Sequence, residues 1–282
     1  MKIRRKKWLK YLAVTIGTLF GILIILGIVY NQLFYKILFE LGYHGNYNGN
    51  NERGNRLMNY AISKIDDKSG EIYYSLSVQN TKNGNYNISI PALEKAFRLK
   101  PKELAAYYGW VLLYYYRDYE NALEKLDYCD ALTPNFSDAP MGEDIHMLKG
   151  LAHMQLKNYE KALEEFDLNI NEITETVGEE WVDVYTFVNK GRCLGIQNKF
   201  VEAIEAFQTA INNYEQCTEA YYYMGINQLK LKEDNLACKN LNTALELVKK
   251  GCKSSDNYIE YFHEVYEQEI EDSIIKHYSS TQ

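Results

Sequence analysis

Two stretches, "KNYEKALEEF" (Lys157–Phe166) and "NKFVEAIEAF" (Asn198–Phe207), follow one pattern forty-one residues apart. An aromatic residue is third, alanine sixth and phenylalanine last. The pattern recurs at 85–101, 118–134 and 233–245. Its anchor triads are Ser89-Leu93-Ala96, Ala122-Leu126-Cys129, Ala162-Phe166-Asn169, Ala203-Phe207-Ala210 and Ala237-Leu241-Ala244. Spacings of four and three place each triad on one face of a helix. The small residue that opens each triad follows its predecessor by 33, 40, 41 and 34 residues.

A second helix precedes each of these. Gly150, Gly191 and Gly225 stand twelve residues before Ala162, Ala203 and Ala237. A glycine inside a helix costs about 1 kcal/mol against alanine, so three in one register imply a steric need. Two antiparallel helices that cross closely require small residues at the contact and a bulky one beside it. Ser77 and Trp110 occupy the glycine position in the first two units, with Gly109 next to Trp110.

These residues resemble the tetratricopeptide repeat, a helix–turn–helix unit of about 34 residues, over roughly 67–250. The resemblance extends to a turn aromatic (Tyr86, Tyr119, Tyr159, Phe200) and to a proline closing the second helix (Pro101, Pro134). Asp234 departs from it at the last turn aromatic, and "NFSDAPMGED" and "NEITETVGEEW" add about seven polar and acidic residues to two connections. The resemblance implies an all-α solenoid of about five helix hairpins. Terminal hairpins of such an array need covers. Residues 256–275 carry Ile259, Phe262, Val265, Tyr266 and Ile270 on one helical face, which predicts a capping helix within 251–282. Residues 31–66 read as a degenerate first hairpin or a juxtamembrane segment, with 52–65 as the second helix of the hairpin. Its first helix would be 31–41, and the Asn/Gly tract 45–51 the loop between.

Tyr11–Tyr30 contains no charged residue. At 1.5 Å per residue this length crosses the roughly 30 Å hydrocarbon layer of a bilayer. It lacks the short core and small-x-small end of a cleavable signal, and no cysteine follows it to carry a lipid. Residues 1–10 hold six basic residues and no acidic one, so the positive-inside bias places the N-terminus in the cytosol. The repeats then lie on the extracytoplasmic side, as in a single-pass protein of a bacterial inner membrane. The net charge is −7, and 25 basic against 38 acidic residues leave −13 for residues 31–282. That sign disfavours nucleic acid, and it reads either as a solubilised surface or as a preference for a basic protein or peptide partner.

No catalytic motif is present. His146 and His153 lie seven apart without an acidic or cysteine ligand at i+4, and "HEVYE" lacks the second histidine of a zinc-protease helix. Neither a P-loop nor a nucleophile elbow occurs. The chain therefore reads as a non-enzyme without cofactor or metal. The five cysteines, Cys129, Cys193, Cys217, Cys238 and Cys252, form no C-x-x-C pair and read as small buried residues.

The tetratricopeptide resemblance implies that the fifth and ninth positions of each first helix face a peptide groove. Here these are Tyr74, Val78, Tyr107, Val111, Met147, Leu151, Val188, Arg192, Tyr222 and Ile226. They lack the Lys and Asn that relatives use to grip a C-terminal carboxylate. Aromatic and aliphatic side chains with one cation suit a peptide or helix. Two functions follow from this reading, an envelope scaffold or assembly subunit, or an anchored inhibitor or immunity protein that intercepts a toxin, with an enzyme of unrecognised site as a distant third.

Overall fold

The computed structural model describes residues 2–47, 51–65, 67–134 and 136–280. Every regular element among them is helical. Residues 48–50 of the Asn/Gly tract, and the last two residues, lie outside the described residues. The chain divides into two compact units, residues 1–101 and 102–282.

In the first unit, α1 runs unbroken from Lys2 to Tyr47. Between Val14 and Tyr30 its described side chains are exposed or nearly so, and side chains become buried only where α2 (Asn51–Ile62) packs against its end. Phe39 of α1 and Met58 and Ala61 of α2 are at most 2% exposed. The closest approach falls at Gly42, where a Cβ would lie 2.8 Å from the Gly54 carbonyl oxygen and 2.9 Å from Met58 Cγ. α3 (Glu71–Lys82) and α4 (Tyr86–Leu99) form the next hairpin, with Leu76 and Ala92 joined to the same core.

The second unit stacks three hairpins after an opening one. These are α5 (Pro101–Val111) with α6 (Tyr119–Asp130), α7 (Ile145–Gln155) with α8 (Tyr159–Thr176), α9 (Val184–Ile196) with α10 (Phe200–Asn213), and α11 (Thr218–Lys230) with α12 (Asp234–Lys249). α13 (Glu267–Ser280) closes the stack against α12. Asp118, Asp144 and Asp183 accept the first amides of α6, α7 and α9, the ordinary role of an N-cap aspartate. The longer connections resolve differently. The extra residues near 170 lengthen α8 to Thr176, whereas the described residues of 131–144 are mainly loop.

The glycine register has the geometry that close crossing demands. A Cβ on Gly150 would lie 2.5 Å from the Phe166 ring, on Gly191 2.6 Å from the Phe207 ring, and on Gly225 2.8 Å from Leu241 Cγ. Both rings are fully buried and have nowhere to retreat. In the α5–α6 hairpin the crossing glycine is Gly109, whose Cβ would meet Leu126 Cγ at 2.8 Å. It stands thirteen residues before Ala122. A π-turn over Leu112–Tyr116 absorbs the extra residue, and Trp110 is thereby turned away from the crossing.

The five turns from the α3–α4 hairpin to the α11–α12 hairpin share a left-handed residue, at Gly84, Arg117, Lys157, Asn198 and Lys232, with φ between 54° and 71°. Four are followed by an amide that bonds the carbonyl five residues back, from Asn85 to Asn80, Asn158 to His153, Lys199 to Leu194 and Glu233 to Gln228. In the hairpin with the π-turn, the Asp118 amide reaches six residues back, to Leu112, at 3.0 Å.

Beside the Gly150 crossing, Lys149 Nζ lies 3.1 Å from Asp127, 3.2 Å from Asp130 and 3.1 Å from Glu165. His146 Nδ1 lies 2.7 Å from Glu165, a bond that raises the imidazole pKa. The network ties α6, α7 and α8 together.

One expectation is corrected. The helix expected over 256–275 begins only at Glu267, and Ile259, Phe262, Val265 and Tyr266 precede it. The Asp256 carboxylate accepts the amides of Tyr258 at 2.7 Å and Ile259 at 3.1 Å, which starts a turn where a helix would need its own first bonds. Tyr, Ile, Phe, His and Val are also mediocre helix formers, and tertiary contacts take them elsewhere.

The crossings yield a test. Alanine in place of an unconstrained helical glycine stabilises by about 1 kcal/mol. Gly150→Ala or Gly191→Ala should instead destabilise by about 1–3 kcal/mol through overpacking against the buried ring. A melting temperature at or above that of the wild type would refute the crossing.

Candidate functional site

In the second unit α7 neighbours α9, and α9 neighbours α11. Two of these first helices carry matching faces. On α9 the face is Tyr185, Asn189 and Arg192. On α11 it is Glu219, Tyr223 and Ile226. Spacings of four and three align each set along one stripe. Each set stands six before, two before and one after its crossing glycine, so the crossing that closes the hairpin also orients the stripe.

The stripe is occupied by the chain itself. Residues 252–266, between α12 and α13, run back across it without regular secondary structure. At one end the Thr218 hydroxyl donates to the Cys252 carbonyl, and the Ser254 amide donates to Glu219 Oε1 at 2.7 Å. His263 is 2% exposed, and its ring stacks on Tyr185 with centroids 4.1 Å apart. Tyr223 donates its hydroxyl to the His263 carbonyl at 3.3 Å. Further along, Phe262 stacks on Tyr114 at 5.6 Å and lies under the Arg117 guanidinium at 4.3 Å. Arg117 also donates to the Glu260 carbonyl at 2.8 Å. Val265 is fully buried with Tyr222 and Ile270.

Hydrogen bonding sets the His263 tautomer. Asn189 Oδ1 accepts from Arg192 at 2.8 Å, so Asn189 Nδ2 supplies donors, one to the Tyr185 carbonyl at 2.8 Å and one to His263 Nδ1 at 3.2 Å. Nδ1 must then be an acceptor, and Nε2 carries the proton toward the Ser254 hydroxyl at 3.1 Å. A second proton would point Nδ1–H at an amide N–H. Burial, with the Arg192 charge nearby, pushes the His263 pKa down to about 3. Burial acts the other way on two carboxyls of the site. It raises the pKa of Glu219, against the bonds from backbone amides, and that of Glu143, against the bonds from Tyr114 Oη at 2.6 Å and Trp110 Nε1 at 2.8 Å.

The ten residues expected to line a groove are scattered. Tyr74 and Val78 lie half-buried on α3 in the first unit. Tyr107 is half-buried on α5, and Val111, Leu151 and Val188 are at most 1% exposed. Met147, also buried, borders an open cleft of about 360 Å³ beside His263. Arg192 and Ile226 border a second cleft of about 260 Å³. Tyr222 donates its hydroxyl to Glu269 of α13 at 3.1 Å. Tyr185, Asn189, Glu219 and Tyr223, which hold the C-terminal segment, were not among the expected residues. Their signal was the repeated four-and-three spacing on the first helices. Among the described residues no group of three or more His, Cys, Asp and Glu is placed to hold a metal ion. All five cysteines are free, with Cys129, Cys193 and Cys217 buried.

The neutral imidazole generates a pH prediction. Its pKa is depressed when the segment is seated, so its contribution is present above about pH 6.5, the ordinary histidine value. The contribution is lost as pH falls toward 3. Glu219 and Glu143 have raised values and oppose this slope, so the comparison needs His263→Gln, which keeps a donor and an acceptor. Between pH 7 and 4.5 the wild type should lose about 2 kcal/mol more stability than His263→Gln. Parallel pH profiles in thermal unfolding would contradict a buried neutral His263.

Residues 143–168, which contain the Gly150–Phe166 crossing, match the tetratricopeptide repeat family. No curated protein sequence matches the chain. Solved structures share the fold at low identity. MamA from Desulfovibrio magneticus RS-1 is 19% identical with a TM-score of 0.54, over 65% of this chain and 97% of that one. PilW, a widely conserved type IV pilus biogenesis factor, is 12% identical with a TM-score of 0.56, over 75% and 92%. PilF of Pseudomonas aeruginosa is 18% identical with a TM-score of 0.51, over 79% and 94%. With its paired helices and their glycine crossings, the chain carries a tetratricopeptide repeat at 143–168 within a helical-hairpin fold that it shares with these structures.

Proposed function

We propose that the protein is a membrane-anchored scaffold or assembly subunit that holds other proteins at the cell envelope. The observation that carries this reading is the double role of α1. Its apolar stretch is long enough to cross a bilayer and is wholly unburied, and the same helix then forms half of the first packed hairpin, through Phe39 and Gly42. A span that continues into the fold without a linker holds that unit against the bilayer. Basic residues before the span support a cytosolic N-terminus and extracytoplasmic repeats. The structural likeness to a type IV pilus biogenesis factor accords with envelope assembly.

A second reading, an anchored inhibitor of a basic toxin, draws on one feature. A cleft of about 760 Å³ between the two longer connections is bordered by Asp130, Asp144, Glu172 and Glu175, with Phe136 68% exposed at its edge. Acidic walls around an exposed ring suit a cationic polypeptide.

Two measurements test these readings. A reporter fused after Gln282 should be active only on the extracytoplasmic side, and cytosolic activity would overturn the topology. Cross-linking of the full chain in its native cells should capture several envelope proteins together. One stoichiometric basic polypeptide would overturn the scaffold in favour of the inhibitor.

A further inference from the structure

The groove of the second unit is built to hold extended main chain. Glu219 accepts a backbone amide, while Arg117 and Tyr223 each donate to a backbone carbonyl. These three contacts read the peptide backbone and not its sequence. Selectivity comes from the side-chain seats, which are the Tyr185 face for a planar ring and the Tyr114–Arg117 slot for an aromatic one. Asn189 adds one hydrogen-bond donor for a ring acceptor.

We propose that residues 252–266 are a displaceable internal ligand of this groove. The partner's extended segment, carrying adjacent aromatic residues, enters by taking the place of Tyr261, Phe262 and His263. This rests on the protein-binding reading above and names the class of partner and the site that takes it.

Three observations favour a ligand over a fixed part of the core. First, the segment makes few regular backbone bonds of its own, the amide of Lys253 to Gly251 and that of Glu264 to Tyr261 being among them. Its hold on the groove comes mainly from separable side-chain contacts. Second, the fit is incomplete. An open cleft of about 360 Å³ remains beside it, bordered by Glu143, Asp183 and Lys253 as well as Tyr261 and His263. Third, the segment is tethered at both ends, at Cys252 by Thr218 and at Val265 by the core that α13 closes. Its middle is exposed at Asp256, Asn257 and Tyr258. The middle can leave the groove while α12 and α13 keep the stack capped. Competition of this kind sets a threshold, because a partner must exceed the affinity of a ligand held at high effective concentration.

The test uses the full chain in lipid nanodiscs and a fluorescein-labelled synthetic peptide of residues 252–266 as probe. Tyr261→Ser with Phe262→Ser should free the groove. Peptide affinity measured by anisotropy should rise at least tenfold over the wild type, and Arg117→Ala added to the double variant should reverse the gain. In the wild type, hydrogen exchange should be at least a hundredfold faster for the amides of 254–262 than for α9 and α11. Equal peptide affinity in a variant that retains the wild-type circular dichroism would overturn the proposal. Should the variant unfold, exchange decides: segment amides that exchange only with global unfolding would mark it as core. Both readouts use purified protein alone, so their failure would leave the envelope-scaffold reading standing. Failure of the cellular cross-linking would likewise leave this result intact.

Discussion

The structure depends on how closely two antiparallel helices can approach. Phe166 and Phe207 reach across their hairpins only because Gly150 and Gly191 have no side chain to stop them. Each glycine gives up about 1 kcal/mol of helix propensity, and a fully buried aromatic ring returns more than that. The same contact sets the rotation of each first helix about its axis. It therefore decides which residues fall between repeats and which face the groove. Val188 goes to the core with Phe207, while Tyr185 and Asn189 face the C-terminal segment.

The second hairpin shows how strict that constraint is. One residue too many separates its crossing glycine from Ala122, and the helix adopts a π-turn in place of shifting the contact. That distortion has a consequence in the groove. Trp110 and Tyr114 both turn toward the Glu143 carboxylate, and Tyr114 makes one wall of the slot for Phe262. The π-turn in the ladder and the shape of the site thus share one cause. At the far end, the groove stays closed through a neutral histidine whose tautomer is fixed by a single asparagine.

The paired helices and their register were legible because the crossing is local in sequence. Glycine, alanine and phenylalanine at fixed spacing report a contact made within one hairpin. Gly109 was harder to place, since a π-turn leaves no signature beyond a one-residue slip. The left-handed turns at Arg117, Lys157, Asn198 and Lys232 were hidden because none of these residues is glycine. The groove was least legible. Its positions were assigned by resemblance, whereas the residues that hold the C-terminal segment sit elsewhere on the same helices. That segment looked helical because its apolar residues are spaced for a helix. What overrides the spacing is long-range, namely Asn189, Tyr185, Tyr223 and Arg117, up to 143 residues away in the chain. Contacts of that range leave no periodic trace in a single sequence.

The most direct test of the crossing is a double-mutant cycle on the second unit's central hairpin, combining Gly191→Ala with Phe207→Leu. Shrinking the ring should make room for the added methyl. The account predicts a double variant that is more stable than the sum of the two single losses by about 1 kcal/mol or more. Losses that add to within about 0.5 kcal/mol would mean that Gly191 and Phe207 do not meet, and would contradict the account.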